Sequence, residues 1–244
     1  MTRLRRHAPA LAIAAVLALV TALVMTACTP RTSGSGGTSG GGTASGGSPG
    51  ATSTAPGDLG FVEVRDFQGK KLTAVADEPE NSIKGPQHVD ISTYRLKITG
   101  RVARPLSLSY ANVLAIPSAR KIVELNCVEG WTVTYLWEGV RLGELLGKAG
   151  FDKNAKVVIF HCVDGYTSSL PLQYVLSRDI LLAYKMNGLT MPPERGYPFQ
   201  VVAEDRYGYK WAKWVQEIEV SDDANYLGYW EKRGYDNGAT LPGK

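Results

Sequence analysis

Cysteine and histidine are scarce in this chain of 244 residues, with three of each. Apart from Cys28, the only thiols are Cys127 and Cys162. In an oxidising compartment these two either form one disulfide or serve separate roles. Beyond residue 27 only His88 and His161 remain, and no CxxCH occurs, which excludes an internal haem relay. HExxH is also missing, which disfavours a zinc protease, and GxSxG occurs only in the Gly/Ser-rich stretch, at residues 37–41 and 46–50, away from any strand-turn-helix pattern that a serine hydrolase needs. Charge of one sign is lacking as well. The formal net charge is +4, and without residues 1–27 the balance is 24 basic to 23 acidic side chains. Such an even balance gives no argument for a nucleic-acid partner. The chain reads as free of internal repeats.

The first residues carry a different signal. Arg3, Arg5 and Arg6 precede an uncharged, largely apolar run from Ala8 to Ala27, which ends in Met25-Thr26-Ala27-Cys28. A charged start, an apolar middle and small residues before a cut describe an export signal over residues 1–27. A cysteine placed directly after the cut resembles the lipobox of bacterial lipoproteins, so Cys28 is the expected lipidation site, with Met25 standing where Leu is usual. The alternative is an uncleaved membrane anchor, since about 20 apolar residues can span a bilayer. Either reading places the globular part of the chain on the extracytoplasmic face of the membrane. Arg5-Arg6 supplies a twin-arginine pair, but its flanks match that export signal poorly. Residues 28–57 are almost entirely Gly, Ser, Thr, Ala and Pro, with Arg31 as the only charge. They form an expected flexible tether. Residues 58–244 suffice for one domain with a substantial core.

Periodicity within that domain predicts an α+β, strand-rich fold. Alternation marks a strand from Thr93 to Val102, and Arg104-Pro105 ends it before a short helix near Tyr110 to Ala115. Lys121 to Leu125 reads as a buried strand delivering Cys127 to a loop. Leu142, Leu145 and Leu146 fall at helical spacing within Val140 to Ala149, and Gly150 stops the helix. Lys156 to His161 is another strand, and Pro171 to Ser177 suits a helical turn or two. Leu181 to Met186 and Leu189 to Met191 flank Asn187-Gly188, the pair that favours a type I′ hairpin turn. Phe199 to Val202 and Trp214 to Val220 complete the strand-forming segments.

The chemistry-bearing residues lie in an ordered set: Leu125-Asn126-Cys127-Val128-Glu129-Gly130-Trp131, Asp164-Gly165-Tyr166-Thr167, Met191-Pro192-Pro193, Gly196-Tyr197-Pro198, and Arg206 to Trp214. A single thiol placed between a strand and a glycine suits a metal thiolate, because soft sulfur favours soft or borderline metals once deprotonated. Over roughly Leu72 to Val220 the set resembles the molybdopterin-binding domain of the sulfite oxidase family, most of all the branch containing the catalytic subunit of bacterial periplasmic methionine sulfoxide reductase. The resemblance implies the compact mixed fold of that domain and a molybdenum-molybdopterin cofactor. It makes Cys127 the metal ligand and places Tyr166 at the open metal position.

It further implies cofactor contacts from Asn81, His161, Cys162, Arg195, Trp211, Ala212 and Lys213. Several of these have a second reading. His161 either bonds the pterin or caps its strand, Cys162 is as readily a buried inert thiol, and Tyr166 a packed tyrosine. A pterin phosphate needs backbone donors and a nearby cation. Gly208 permits close approach there, and Lys210 and Lys213 offer charge. The chain departs from its relatives where Phe199-Gln200 stands in place of an arginine, and where Glu204 replaces a proline and brings negative charge near the cleft. Both changes disfavour a dianion pocket. The expected function is oxygen-atom transfer with a small substrate, sulfoxide reduction being preferred over sulfite oxidation and over a cofactor-free binding module. Electrons are expected from a membrane partner. The tether's root-mean-square reach of about 30 Å would allow that meeting.

Overall fold

The computed structural model describes residues 62–244. The expected export signal, the expected lipidation site Cys28 and the expected tether lie outside the described residues. Two five-stranded sheets and three short helices carry the core. In chain order the elements are β1 (Asp66–Phe67), β2 (Lys70–Lys71), β3 (Leu96–Gly100), β4 (Leu106–Leu108), α1 (Tyr110–Leu114), β5 (Ser118–Asn126), β6 (Thr132–Arg141) and α2 (Leu142–Ala149). They continue with β7 (Val157–Cys162), β8 (Thr167–Pro171), α3 (Leu172–Ser177), β9 (Leu181–Met186), β10 (Leu189–Thr190), β11 (Gln200–Val202) and β12 (Val215–Ser221). One sheet has the order β10-β9-β6-β5, with β11 also pairing β9; the other runs β4-β3-β12-β7-β8.

Each sheet contains a hairpin that bears on the site. β5 and β6 pair antiparallel from Ser118↔Val140 to Asn126↔Thr132, leaving Cys127 as the first residue of the connecting loop. β7 and β8 pair antiparallel as far as His161↔Thr167, leaving Val163 to Tyr166 as theirs. Both loops close in the same way. The amide of Cys127 donates to Trp131 O and Gly130 N to Cys127 O, while Cys162 N donates to Tyr166 O and Gly165 N to Cys162 O. Gly130 and Gly165 take positive φ angles of 89° and 85°. An L side chain rarely tolerates that conformation, which accounts for glycine at both positions.

These loops correct the reading of no internal repeat. Cys127-Val128-Glu129-Gly130-Trp131-Thr132 and Cys162-Val163-Asp164-Gly165-Tyr166-Thr167 are a six-residue near-repeat, folded alike.

Most expected elements occur with shifted ends. The helix read from Val140 starts at Leu142, because Val140 and Arg141 still pair with Leu182 and Leu181 of β9. The Asn-Gly turn adopts positive φ at both residues, 49° and 79°, as a type I′ hairpin requires. Besides the short β1, β2 and β4, two strands had no expectation: β6, inside its sheet, and β8, at the edge of the other. In β6, from Leu136 onward, both faces are largely buried, which erases the period of two. In β8 the buried positions include Ser168 and Ser169, so hydrophobicity gives no mark. β6 also approaches β9 unusually closely: a Cβ on Gly139 would stand 2.2 Å from Leu182 O, at the point where the register shifts. Trp137, fully buried on β6, packs against Tyr135 and Trp211 with ring centres 5.4 and 5.6 Å apart. Burying about 200 Å² of such a ring contributes on the order of 5 kcal/mol at about 25 cal/mol per Å².

Candidate active site

The two hairpin loops, the segment from Asn81 to Ile83, the turn Gly208–Lys210 with the residues after it, and the C-terminal residues Trp230 and Tyr235 border a cleft of about 720 Å³. Cys127 lines it as a free thiol. Burial is the main reason its pKa is raised, and the Glu129 carboxylate adds to the rise. Asn81 Nδ2 lies 3.7 Å from Cys127 Sγ. Glu129 Oε2 lies 3.8 Å from the same sulfur and accepts from the Trp131 indole at 3.0 Å.

Lys213 is the lysine of the lining. Its side chain is 12% exposed, and its ammonium reaches Asn81 Oδ1 at 3.3 Å, Glu194 O at 3.5 Å and Glu80 Oε1 at 3.8 Å. Burial pulls its pKa down, opposed by Glu78 and Glu80. A largely buried cation that opens on a cleft suits a phosphate. Asp164 is buried in the same lining, and its Oδ1 accepts from Tyr166 N at 2.9 Å. Burial raises its pKa, while its backbone hydrogen bonds, Lys84 and Lys213 act the other way.

Of the sequence-predicted residues, Cys127, Tyr166, Asn81, Trp211 and Lys213 come together around the cleft. Tyr166 directs its hydroxyl onto Tyr209 O, and burial raises its pKa. Trp211 donates its indole N–H to Arg206 O at 3.0 Å. His161, Cys162, Arg195 and Ala212 are not in the lining. His161 bonds Glu219 at 2.9 Å on the next strand, β12. Cys162 is a buried free thiol whose pKa is driven well up by burial. Arg195 is buried and donates to the carbonyls of Glu78 and Pro79, so it holds the segment that carries Asn81. Ala212 is fully buried, its N–H bonded to Lys210 O and its carbonyl to Val201 N.

Two charges read as belonging to the cleft lie elsewhere. Lys210 is fully buried and bonds Glu231 and Asn237. Glu204 pairs with Lys121 at 3.2 Å. The acids that do line the cleft, Glu129 and Asp164, went unassigned, although the near-repeat places them at equivalent positions. Trp230, Tyr235 and Tyr209 were missed too, for no local motif marks them.

The profile of the oxidoreductase molybdopterin binding domain family matches residues 83–230. The chain belongs to that family. It is similar to the uncharacterized oxidoreductase YuiH of Bacillus subtilis (strain 168), 36% identical over 151 residues that cover 62% of this chain and 76% of that protein. It is also similar to the protein-methionine-sulfoxide reductase catalytic subunit MsrP of Gluconobacter oxydans (strain 621H), 30% identical over 53% of this chain and 47% of that protein. Among solved structures, the sulfane dehydrogenase SoxCD from Paracoccus pantotrophus matches with a TM-score of 0.55 and 25% identity, over 58% of this chain and 41% of that one. The chain thus spans about half or less of these last two relatives. The shared fold is the strand-rich α+β molybdenum domain.

Members of this oxidoreductase family use a molybdenum-molybdopterin cofactor, and the donors present fit one. Among the described residues no group of three or more His, Cys, Asp or Glu side chains could hold a metal. A metal beside Cys127 must therefore bring further donors with it, as a pterin dithiolene does. Cys127 would supply the protein's thiolate, Lys213 the cation for the phosphate, and Asn81 a donor toward the sulfur. When bound, the cofactor supplies a two-electron redox centre that accepts or releases an oxygen atom.

Proposed function

We propose that this domain reduces a small neutral sulfoxide, taking two electrons and two protons per turnover and releasing the sulfide and water. The observation that carries this reading is the charge of the cleft. Two acids, Glu129 and Asp164, line it with the cation Lys213, which is itself shared with Asn81 and Glu80, and Lys84 lies beside Asp164. An inorganic dianion such as sulfite finds no unshared cation in that lining and faces the Glu129 carboxylate, whereas a neutral S=O group needs no cation. Cys127 serves as the metal thiolate, and Asp164 faces the cleft with its pKa raised by burial, which suits it to pass a proton. Tyr166 shapes the cleft wall rather than donating, since its hydroxyl proton goes to Tyr209 O.

Attachment through a lipid on Cys28, an extracytoplasmic location and a membrane-bound electron donor belong to the same reading. Their support is the apolar run before Cys28 and the absence of CxxCH from the sequence. The test is steady-state turnover of the purified holoenzyme with a reduced viologen. Sulfoxide-dependent oxidation of the dye is expected, without direct use of NADH. Turnover of sulfite to sulfate with a cytochrome acceptor, and none with sulfoxides, would overturn it.

A further inference from the structure

The cleft has a second face, built from the C-terminal segment. Trp230 and Tyr235 line it together with Tyr209 from the turn Gly208–Lys210. Tyr235 touches both of the others: Tyr209 and Tyr235 lie 5.2 Å apart at 71°, and Trp230 and Tyr235 lie 5.1 Å apart at 53°. The family match ends at residue 230, so Tyr235 lies past the matched stretch, while Tyr209 and Trp230 lie within it.

This segment is clamped to the turn that faces it. Lys210 and Glu231 form a buried ion pair, and Lys210 Nζ also donates to Asn237 Oδ1 at 2.9 Å. The hydroxyl of Tyr209 donates to Asp236 O at 2.7 Å, and Tyr207 N donates to Ala239 O at 2.9 Å. The rings are thus held in place before any ligand arrives, which lowers the ordering cost of binding. Cys127, Asn81 and Lys213 form a separate linked set through the contacts at 3.7 and 3.3 Å, and none of the three aromatic rings takes part in those contacts.

We infer that Tyr209, Trp230 and Tyr235 form a specificity wall that grips the organic flank of the substrate. This rests on the sulfoxide reading and narrows it to organic sulfoxides with an apolar or aromatic substituent next to sulfur. Sulfur and apolar groups both gain from contact with aromatic rings, and a larger flank covers more of the wall. An inorganic sulfur oxyanion has no such flank and gains nothing from it.

The test compares methyl phenyl sulfoxide with dimethyl sulfoxide in the viologen-driven holoenzyme, alongside binding of the unreactive methyl phenyl sulfone followed by tryptophan fluorescence. Tyr235 is 39% exposed, so its truncation tests the wall and not the core. Tyr235→Ala is expected to lower the kcat/KM ratio of the aryl over the dimethyl substrate about fivefold, about 1 kcal/mol at 1.36 kcal/mol per tenfold. The change should arise chiefly in KM. Sulfone binding should weaken by a similar factor, Tyr235→Phe should keep both values, and molybdenum content should stay at the wild-type level. An unchanged ratio and unchanged sulfone affinity would overturn the wall, as would loss of molybdenum in Tyr235→Ala, which would assign the ring to the cofactor. Failure of the wild type to reduce either sulfoxide would defeat the proposed function alone, because the sulfone measurement still decides the wall.

Discussion

Lys210→Met should destabilise the domain far more than an ordinary lysine substitution. The Lys210 and Glu231 side chains are 1% and 0% exposed, and Glu231 Oε2 has no hydrogen-bond partner, so Lys210 is the main compensation for a buried carboxylate. Removing one partner of such a pair costs about 3–5 kcal/mol, because the remaining charge stays desolvated. At about 2–4 °C per kcal/mol for a domain of this size, the midpoint of thermal unfolding should fall by about 6–20 °C. Exchanging both partners for apolar residues, as Lys210→Met with Glu231→Leu, should restore stability to within about 2 kcal/mol of wild type. Guanidinium unfolding of the four proteins of the double-mutant cycle gives the coupling directly. Additive losses, with no recovery in the double variant, would refute the reasoning, as would a single variant that loses less than about 1 kcal/mol.

Lys213→Ala acts through the cofactor. A charge-assisted hydrogen bond contributes about 1.5–3 kcal/mol, so retention of the pterin after dialysis should weaken about 10- to 150-fold, read as pterin content per chain; equal retention in wild type and variant would remove Lys213 from the phosphate site. Asp164→Asn should alter how stability depends on pH. The folded-state pKa of Asp164 is raised from 3.8, so the native state holds its proton more tightly, and wild-type stability should decline as pH rises from about that value through the raised pKa. The Asp164→Asn variant should lack that part of the slope in unfolding experiments above about pH 4, and identical slopes would contradict the assignment.

The fold was largely legible because its strands and helices follow simple periods: Leu142, Leu145 and Leu146 mark α2, and Asn187-Gly188 marks the β9–β10 turn. β6 escaped because a strand covered on both faces loses its alternation, and β8 because small serines fill its buried positions. Cys127, Trp211 and Lys213 were found through an ordered motif, Asn81 through the family resemblance alone, and the four do share one cleft. Lys210 was misread because a lysine buried against Glu231 looks no different in sequence from one that faces a ligand. The partner lies 21 residues away, past any local pattern. His161 and Cys162 show the limit of adjacency, since one faces Glu219 and the other the core. The aromatic wall depends on tertiary clamping of the C-terminal segment, which no period records.

Elemental analysis of holoenzyme purified from its native host, beside its Cys127→Ser and Cys162→Ala variants, bears most directly on the site. About one molybdenum per chain is expected in the wild type and in Cys162→Ala, and loss of the metal in Cys127→Ser, where a hard hydroxyl replaces the thiolate. Full molybdenum in Cys127→Ser, or its loss only in Cys162→Ala, would contradict the assignment of Cys127 as the metal's protein ligand.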